Sequence, residues 1–356
     1  MNAPQVLASL AEQAILQARN DHSKVKGNVP EVEEVARLVL QLPAELRSHW
    51  GPHLKQGEMV ISGVFCHKTP QAKHLSGVTH CEQSPELGDL LLCVEQIVGK
   101  KQRSSSALLL QAKMGQKVGG TGQFGVGTGS EAVQRYLYAN WPSFSLTGLP
   151  GSSPQFDIAP PVAGQCPGSR YACIESSPAP NESGWWIEER QATAVTPYSG
   201  TFPAAVGLGE ALTRMVNGSL GAPLEDCVNL TNLEWKRLVG HLFNVAVRRD
   251  ARDKNPPDVS GVSGYKPPHH AVACLMKWQG QEFLAEDPFE FLLQKRTPWK
   301  LFRSLLEDGM YYPWPPYWQP PTSELVLDKD QRGLGIIRVT LIDPEWSEEA
   351  DRPKEL

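Results

Sequence analysis

Two apolar runs joined by a short basic turn constrain this chain more than any other feature. Residues 87–98 (LGDLLLCVEQIV) and 107–114 (ALLLQAKM) are each of strand length and nearly continuous in apolar residues. That is the pattern of strands covered on both faces. The segment between them, GKKQRSSS, is polar and basic. Alternation along the second run places Leu109, Gln111 and Lys113 on one face and Leu108, Leu110 and Ala112 on the other. An amide and an ammonium at the end of a buried strand are costly unless something polar faces them.

Asp89 is the natural partner. A hairpin turning through Gly99-Lys100-Lys101-Gln102 would set Asp89 opposite Lys113 and Leu91 opposite Gln111. The diagonal from Asp89 to Gln111 would then be roughly 5–8 Å. A carboxylate, an amide and a lysine would converge from hairpin geometry alone. A slip of one residue would separate them.

The order Asp89, hairpin, Gln111-x-Lys113 resembles the active-site pattern of the PD-(D/E)XK nuclease superfamily, the restriction-endonuclease-like fold. Its Gln-x-Lys form is similar to the Mrr-like branch and to effector nucleases of bacterial anti-phage systems. The resemblance covers roughly residues 1–115 and implies Mg²⁺ (or Mn²⁺) held at the strand ends. It implies that Asp89 is the principal metal ligand, that Gln111 offers its amide oxygen, and that Lys113 orients or deprotonates the attacking water. Relatives often add a glutamate from the first helix, for which Glu12 is the best positional match and Glu86 the rival. Leu-Gly-Asp stands here in place of Pro-Asp, and Gln111 removes a negative charge from the cation site. Since Mg²⁺ prefers hard oxygen donors, a further carboxylate is wanted.

The net charge of −5, from 34 basic and 39 acidic residues, excludes a global electrostatic grip on nucleic acid. Any basic surface must be local. Between Glu95 and Glu131 the chain has no acidic residue, whereas Lys100, Lys101, Arg103, Lys113 and Lys117 all fall there. This island suits phosphate contacts and lies close in sequence to the proposed site. A solvated basic turn would look the same.

Helices are expected over 4–19, over 31–41 with a stop at Pro43, and over 131–141, 202–218 and 229–250. Strands are expected over 59–70, 169–176 and 184–195, and in HHAVACLMKW and LGIIRVTLID. The glycine-rich stretch 115–130 reads as a loop beside Lys113. The class is therefore mixed α/β (α+β), a core sheet flanked by helices with large C-terminal elaborations. Residues 1–146 would form the nuclease-like core and 147–356 its continuation, with one domain over 1–356 as the alternative.

Other chemistries find little support. Gly120-Thr-Gly122-Gln-Phe-Gly125 matches a dinucleotide fingerprint, but no carboxylate stands about 20 residues later. No G-K-[ST] or G-x-S-x-G occurs, and the seven cysteines never form C-x-x-C. Trp185-Trp186 and the aromatics of PWPPYWQPP are able to stack on bases, although core packing and partner docking are commoner roles. No window approaches ~18 apolar residues, and the N-terminus has no basic n-region, so no membrane segment or signal peptide is expected. The cysteine usage points to a reducing cytoplasm. The expectation is a cytoplasmic, metal-dependent DNA nuclease, an effector of bacterial defence regulated by a protein partner or by homo-oligomerisation. A non-catalytic scaffold or nucleic-acid-binding subunit on the same fold is the alternative.

Overall fold

The computed structural model describes residues 3–20, 31–53, 58–67, 70–74, 84–98, 101–118, 121–124, 130–147, 154–158, 168–189, 201–202, 205–225, 230–248, 271–277 and 333–343. The PWPPYWQPP stretch lies outside these residues.

The chain opens with α1 (Ala3–Asn20) and α2 (Glu31–Trp50). Ala11, Ala14, Ile15 and Ala18 make a buried stripe on α1, whose small side chains let α2 approach closely. Pro43 does not stop α2, contrary to the sequence expectation. Val35, Val39, Leu42, Leu46 and Trp50 continue one buried stripe across it. The Trp50 indole N–H also donates to the Leu7 carbonyl at 2.9 Å. This burial outweighs the roughly 3 kcal/mol that an interior proline costs.

The strands β1 (Glu58–His67), β2 (Gln71–His74), β3 (Leu90–Val98), β4 (Lys101–Val118) and β5 (Thr121–Phe124) precede α3 (Ser130–Asn140). There follow β6 (Phe144–Thr147), β7 (Gln155–Phe156), β8 (Ser169–Glu175), β9 (Trp185–Glu188), β10 (Thr201–Phe202) and β11 (Ala205–Gly207). The remainder is α4 (Leu208–Val216), β12 (Ala222–Pro223), α5 (Leu230–Arg248), β13 (Ala271–Lys277) and β14 (Gly333–Asp343). Part of the stretch expected as a glycine-rich loop is extended. Residues 115–118 continue β4 and pair with β5. The helix expected from residue 202 begins only at Leu208, because β11 first pairs with β9.

A mixed sheet runs in the order β11-β9-β8-β4-β3-β14-β1-β13, so the fold is mixed α+β with helices on both faces. β3 and β4 are central, which is why both read as continuous apolar runs. β14 is inserted between β1 and β3, parallel to β3 and antiparallel to β1. Strands from both sides of residue 147 thus share one sheet.

One face carries Leu90, Leu92, Val94, Leu108, Leu110 and Ile337 against α1, α2 and α4. The opposite face carries Leu91, Cys93, Leu109, Tyr171 and Ile336 against α3, α5 and the small sheet β2-β6-β7. Among the described residues no helix is long and apolar enough to cross a membrane.

Candidate active site

The hairpin register differs from the sequence expectation by two residues. β3 and β4 join through the Val98–Lys101 pair, and a bulge follows between Gln96 and Ile97. Leu90 then stands opposite Leu110, and the Asp89 N–H donates to the Leu110 carbonyl at 2.8 Å. Asp89 is therefore abreast of Gln111, not of Lys113. A shift of two preserves side-chain parity, so Asp89, Gln111 and Lys113 still meet at one end of the sheet.

Asp89 sits in a bend whose close packing requires the preceding glycine. A Cβ on Gly88 would fall 2.8 Å from the Tyr138 hydroxyl and 2.9 Å from Leu109. On the other side, the Gly335 N–H of β14 donates to the Asp89 carbonyl at 2.8 Å. Tyr138 on α3 donates to the Leu87 carbonyl at 2.9 Å. The backbone of Asp89 and its approach are thus held by β4, β14 and α3.

The side chains form a buried relay. Asp89 Oδ2 accepts from the Ala112 N–H at 2.8 Å and from Gln111 Nε2. Gln111, fully buried, accepts at its Oε1 from Gln134 Nε2 at 2.6 Å. The amide oxygen expected to face a cation is therefore turned toward α3, and the amide nitrogen faces Asp89. Gln111 acts here as a positioning group for the carboxylate.

The carboxylate that meets Lys113 comes from α2. Glu31 Oε1 stands 3.6 Å from Lys113 Nζ. Burial pushes the Glu31 pKa up, opposed by Lys113 and reinforced by the charge of Glu86. Burial also drives Asp89 well above the usual carboxylate range, with Glu31 and Glu86 adding repulsion while Lys113 and the Ala112 N–H act the other way. Glu86 reaches this neighbourhood through an isolated bridge to Gln71.

Glu12, expected to supply the helix-borne acid, is engaged elsewhere. Its carboxylate accepts from Ser183 Oγ at 2.6 Å and from the Gly209 N–H at 2.7 Å. It thereby caps α4, whose own N-cap is Gly207 and has no side chain to do so. Arg19, about two turns further along the same face of α1, pairs with Glu34 at 3.3 Å and donates to the Ser183 carbonyl at 3.0 Å. The charged residues of α1 are structural clamps between helices and the β8–β9 connection.

The basic island is divided between the two ends of the hairpin, with Lys113 at the site and the turn residues away from it. Lys101 pairs with Val98, at the far end of β3 from Asp89. With nine residues in β3, that separation is about 30 Å. Arg103 lies beside the bulge at the same far end, so adjacency in sequence did not translate into adjacency in space. Lys117 lies beyond Lys113 near the end of β4. Lys100 lies outside the described residues, and the side chains of Lys101, Arg103 and Lys117 are not described.

Sequence reasoning missed Glu31 and Gln134. Glu31 follows Pro30 at a helix start, a position that favours an acid for electrostatic reasons and does not by itself announce a site. Gln134 had a clearer signal. It lies on the buried stripe of α3 with Val133, Leu137, Tyr138 and Trp141, where an amide must find a partner.

Asp89, Glu31 and Glu86 are the carboxylates that could offer oxygen to a hard divalent cation here, with Asp89 and Glu31 pushed upward chiefly by burial and further by the charge of Glu86. Among the described residues no three His, Cys, Asp or Glu side chains are gathered as a ready ion cage. No family model, curated protein or solved structure matches the chain.

Proposed function

We propose that the chain is a divalent-metal-dependent nuclease that hydrolyses phosphodiester bonds in DNA. The observation that carries this reading is the convergence of Asp89, Gln111, Lys113 and Glu31 at one end of the central strands, where helices from both faces of the sheet meet. It rests also on the resemblance of the Asp89…Gln111-x-Lys113 arrangement to the PD-(D/E)XK pattern.

Asp89 and Glu31, with Glu86 as a third donor, would hold the cation. When bound, it would stabilise charge on the phosphoryl oxygens and lower the pKa of an attacking water. Lys113, tethered by Glu31, brings a positive charge to where the pentavalent phosphate develops negative charge. It also orients the water whose oxygen forms the new P–O bond as the ester P–O bond breaks; that water gives up a proton to solvent, and the departing alkoxide takes one up. Gln111 keeps Asp89 aimed, and Gln134 keeps Gln111 aimed.

Incubating the purified chain with plasmid DNA and Mg²⁺ or Mn²⁺ tests this reading. Cleavage is expected, and it is expected to disappear with EDTA, Asp89→Asn or Lys113→Ala. Cleavage that persists in both variants overturns it.

A second reading is favoured by the orientation of Gln111, whose oxygen is already taken by Gln134. On that reading the fold is a non-catalytic nucleic-acid-binding subunit. DNA binding without cleavage under any divalent cation, unaffected by Asp89→Asn, would establish it instead.

A further inference from the structure

Trp141 follows the last residue of α3 and has a φ of 42°, the only left-handed value at a non-glycine among the described residues. Its N–H donates to the Leu137 carbonyl at 2.7 Å, which closes the helix with a left-handed cap. Glycine ordinarily fills that position, and a residue that precedes a proline, as Trp141 precedes Pro142, is ordinarily extended. A bulky side chain keeps such a backbone only where its surroundings over-determine it.

The indole supplies those surroundings. It is fully buried. Its ring stacks on Tyr138 at 5.5 Å, meets Trp235 edge-on at 5.6 Å and packs against Phe144 at 6.0 Å. Its ring N–H donates to Ser169 Oγ at 3.0 Å. Ser169, equally buried, opens β8 and is paired with Leu109 of β4, two residues before Gln111. The end of α3 is therefore fastened to the strand beside the one that carries the site.

The same helix reaches the site at two more points. Gln134, Tyr138 and Trp141 recur at i, i+4 and i+7, so all three share one buried stripe. Gln134 holds Gln111, whose amide holds Asp89. Tyr138 holds the Leu87 carbonyl, at the entrance to the Asp89 bend. A slide of the helix by the rise of one residue, about 1.5 Å, would lengthen or bend both of these hydrogen bonds together.

We propose that Trp141 is a positioning residue for the Asp89 centre: its left-handed backbone and its bond to Ser169 stop α3 at the setting in which Gln134 and Tyr138 both hold their acceptors. The consequence for catalysis rests on the nuclease reading of that centre, whereas the placement of α3 is a property of the metal-free chain.

Trp141→Phe keeps a ring and removes the donor to Ser169, and Ser169→Ala removes the acceptor while leaving the indole. Hydrogen exchange of the metal-free full chain reads the placement directly, because the Ala112 N–H is bonded to Asp89 Oδ2. In both variants that amide is expected to exchange about 10-fold faster relative to the β1–β14 ladder, which reports loss of stability alone. For DNA cleavage, kcat is expected to fall about 10- to 100-fold with little change in KM. Gln134 is about 10 Å from Trp141 along the helix, so the stability losses of Trp141→Phe and Gln134→Leu should add. Their effects on kcat should not, and the double variant is expected to lose less than the product of the two single losses. Ala112 exchange that follows the β1–β14 ladder in both variants, an unchanged kcat where the wild type cleaves, or kcat losses that multiply overturns the proposal and leaves Trp141 a core residue. Where the wild type cleaves no DNA under any divalent cation, the nuclease reading fails and the Ala112 comparison still decides the role of Trp141.

Discussion

Lys113 Nζ stands 3.6 Å from Glu31 Oε1, so the central strand β4 is tied to the first residue of α2. This contact assigns the helix-borne carboxylate of the candidate site to the second helix. Glu31→Gln is expected to weaken Mn²⁺ binding on the order of 10–100-fold in calorimetric titration, as loss of a supporting acid at a metal site typically does. Glu12→Gln should leave Mn²⁺ affinity unchanged and lower stability by about 1 kcal/mol, because it disturbs the cap on α4. Equal losses in the two variants would contradict the assignment.

Acidity at this site has a definite sign. Asp89 and Glu31 are both pushed upward, chiefly by burial. A carboxylate whose folded pKa exceeds its unfolded value disfavours the fold when ionised. Its contribution is best when the group is protonated and is lost as pH rises through the raised range. A cation requires the ionised form, so its affinity must fall as pH drops through the same window, above the ordinary carboxylate range. Mn²⁺ titrations in buffers of different ionisation enthalpy should reveal proton release that grows as pH is lowered into that window. Asp89→Asn should raise the thermal midpoint of the metal-free protein and abolish its shift by Mn²⁺.

Gln134 is the outer end of the amide relay, with its Nε2 donating to Gln111 Oε1 at 2.6 Å. Gln134→Leu leaves a buried oxygen without its donor, and the expected loss is about 1–3 kcal/mol in denaturant unfolding. Because Gln111 then no longer holds one orientation, kcat should fall more than KM rises. A variant with unchanged kcat and a lower midpoint would restrict Gln134 to packing.

Two glycines set the closeness of the site's walls. A Cβ on Gly88 would meet Tyr138 and Leu109, and one on Gly335 would lie 2.5 Å from Val39 Cγ2 on α2. Gly88→Ala and Gly335→Ala should each cost about 1–3 kcal/mol through overpacking, read as a lowered urea midpoint. The first displaces Asp89 directly. The second pushes out the helix that carries Glu31, so both should also reduce Mn²⁺ affinity.

The pairing of faces at the site was legible because strand parity depends only on the sequence itself: Asp89, Gln111 and Lys113 fall on odd positions of two buried runs. The register was not legible. It depends on a two-residue connection and on a bulge opposite Ile97, and several polar turn residues were equally able to form either. That Glu31, and not Glu12, reaches Lys113 lay beyond spacing altogether. Both acids sit on amphipathic helices, and only tertiary packing decides that α1 spends its charges on Ser183 and Gly209. The basic turn misled for a related reason. A hairpin places residues that are close in sequence to the active end at its opposite tip.

Strand β14 occupies the slot between β1 and β3, although more than two hundred residues of chain separate it from β3. Its Gly335 also holds the backbone of Asp89. During synthesis, the segment that finishes the central ladder therefore leaves the ribosome long after the acids and the lysine have emerged. Such distant pairing is slow to form and cannot begin early. A nascent chain translated only through β13 carries every reactive side chain named above, yet lacks the element that fixes their geometry.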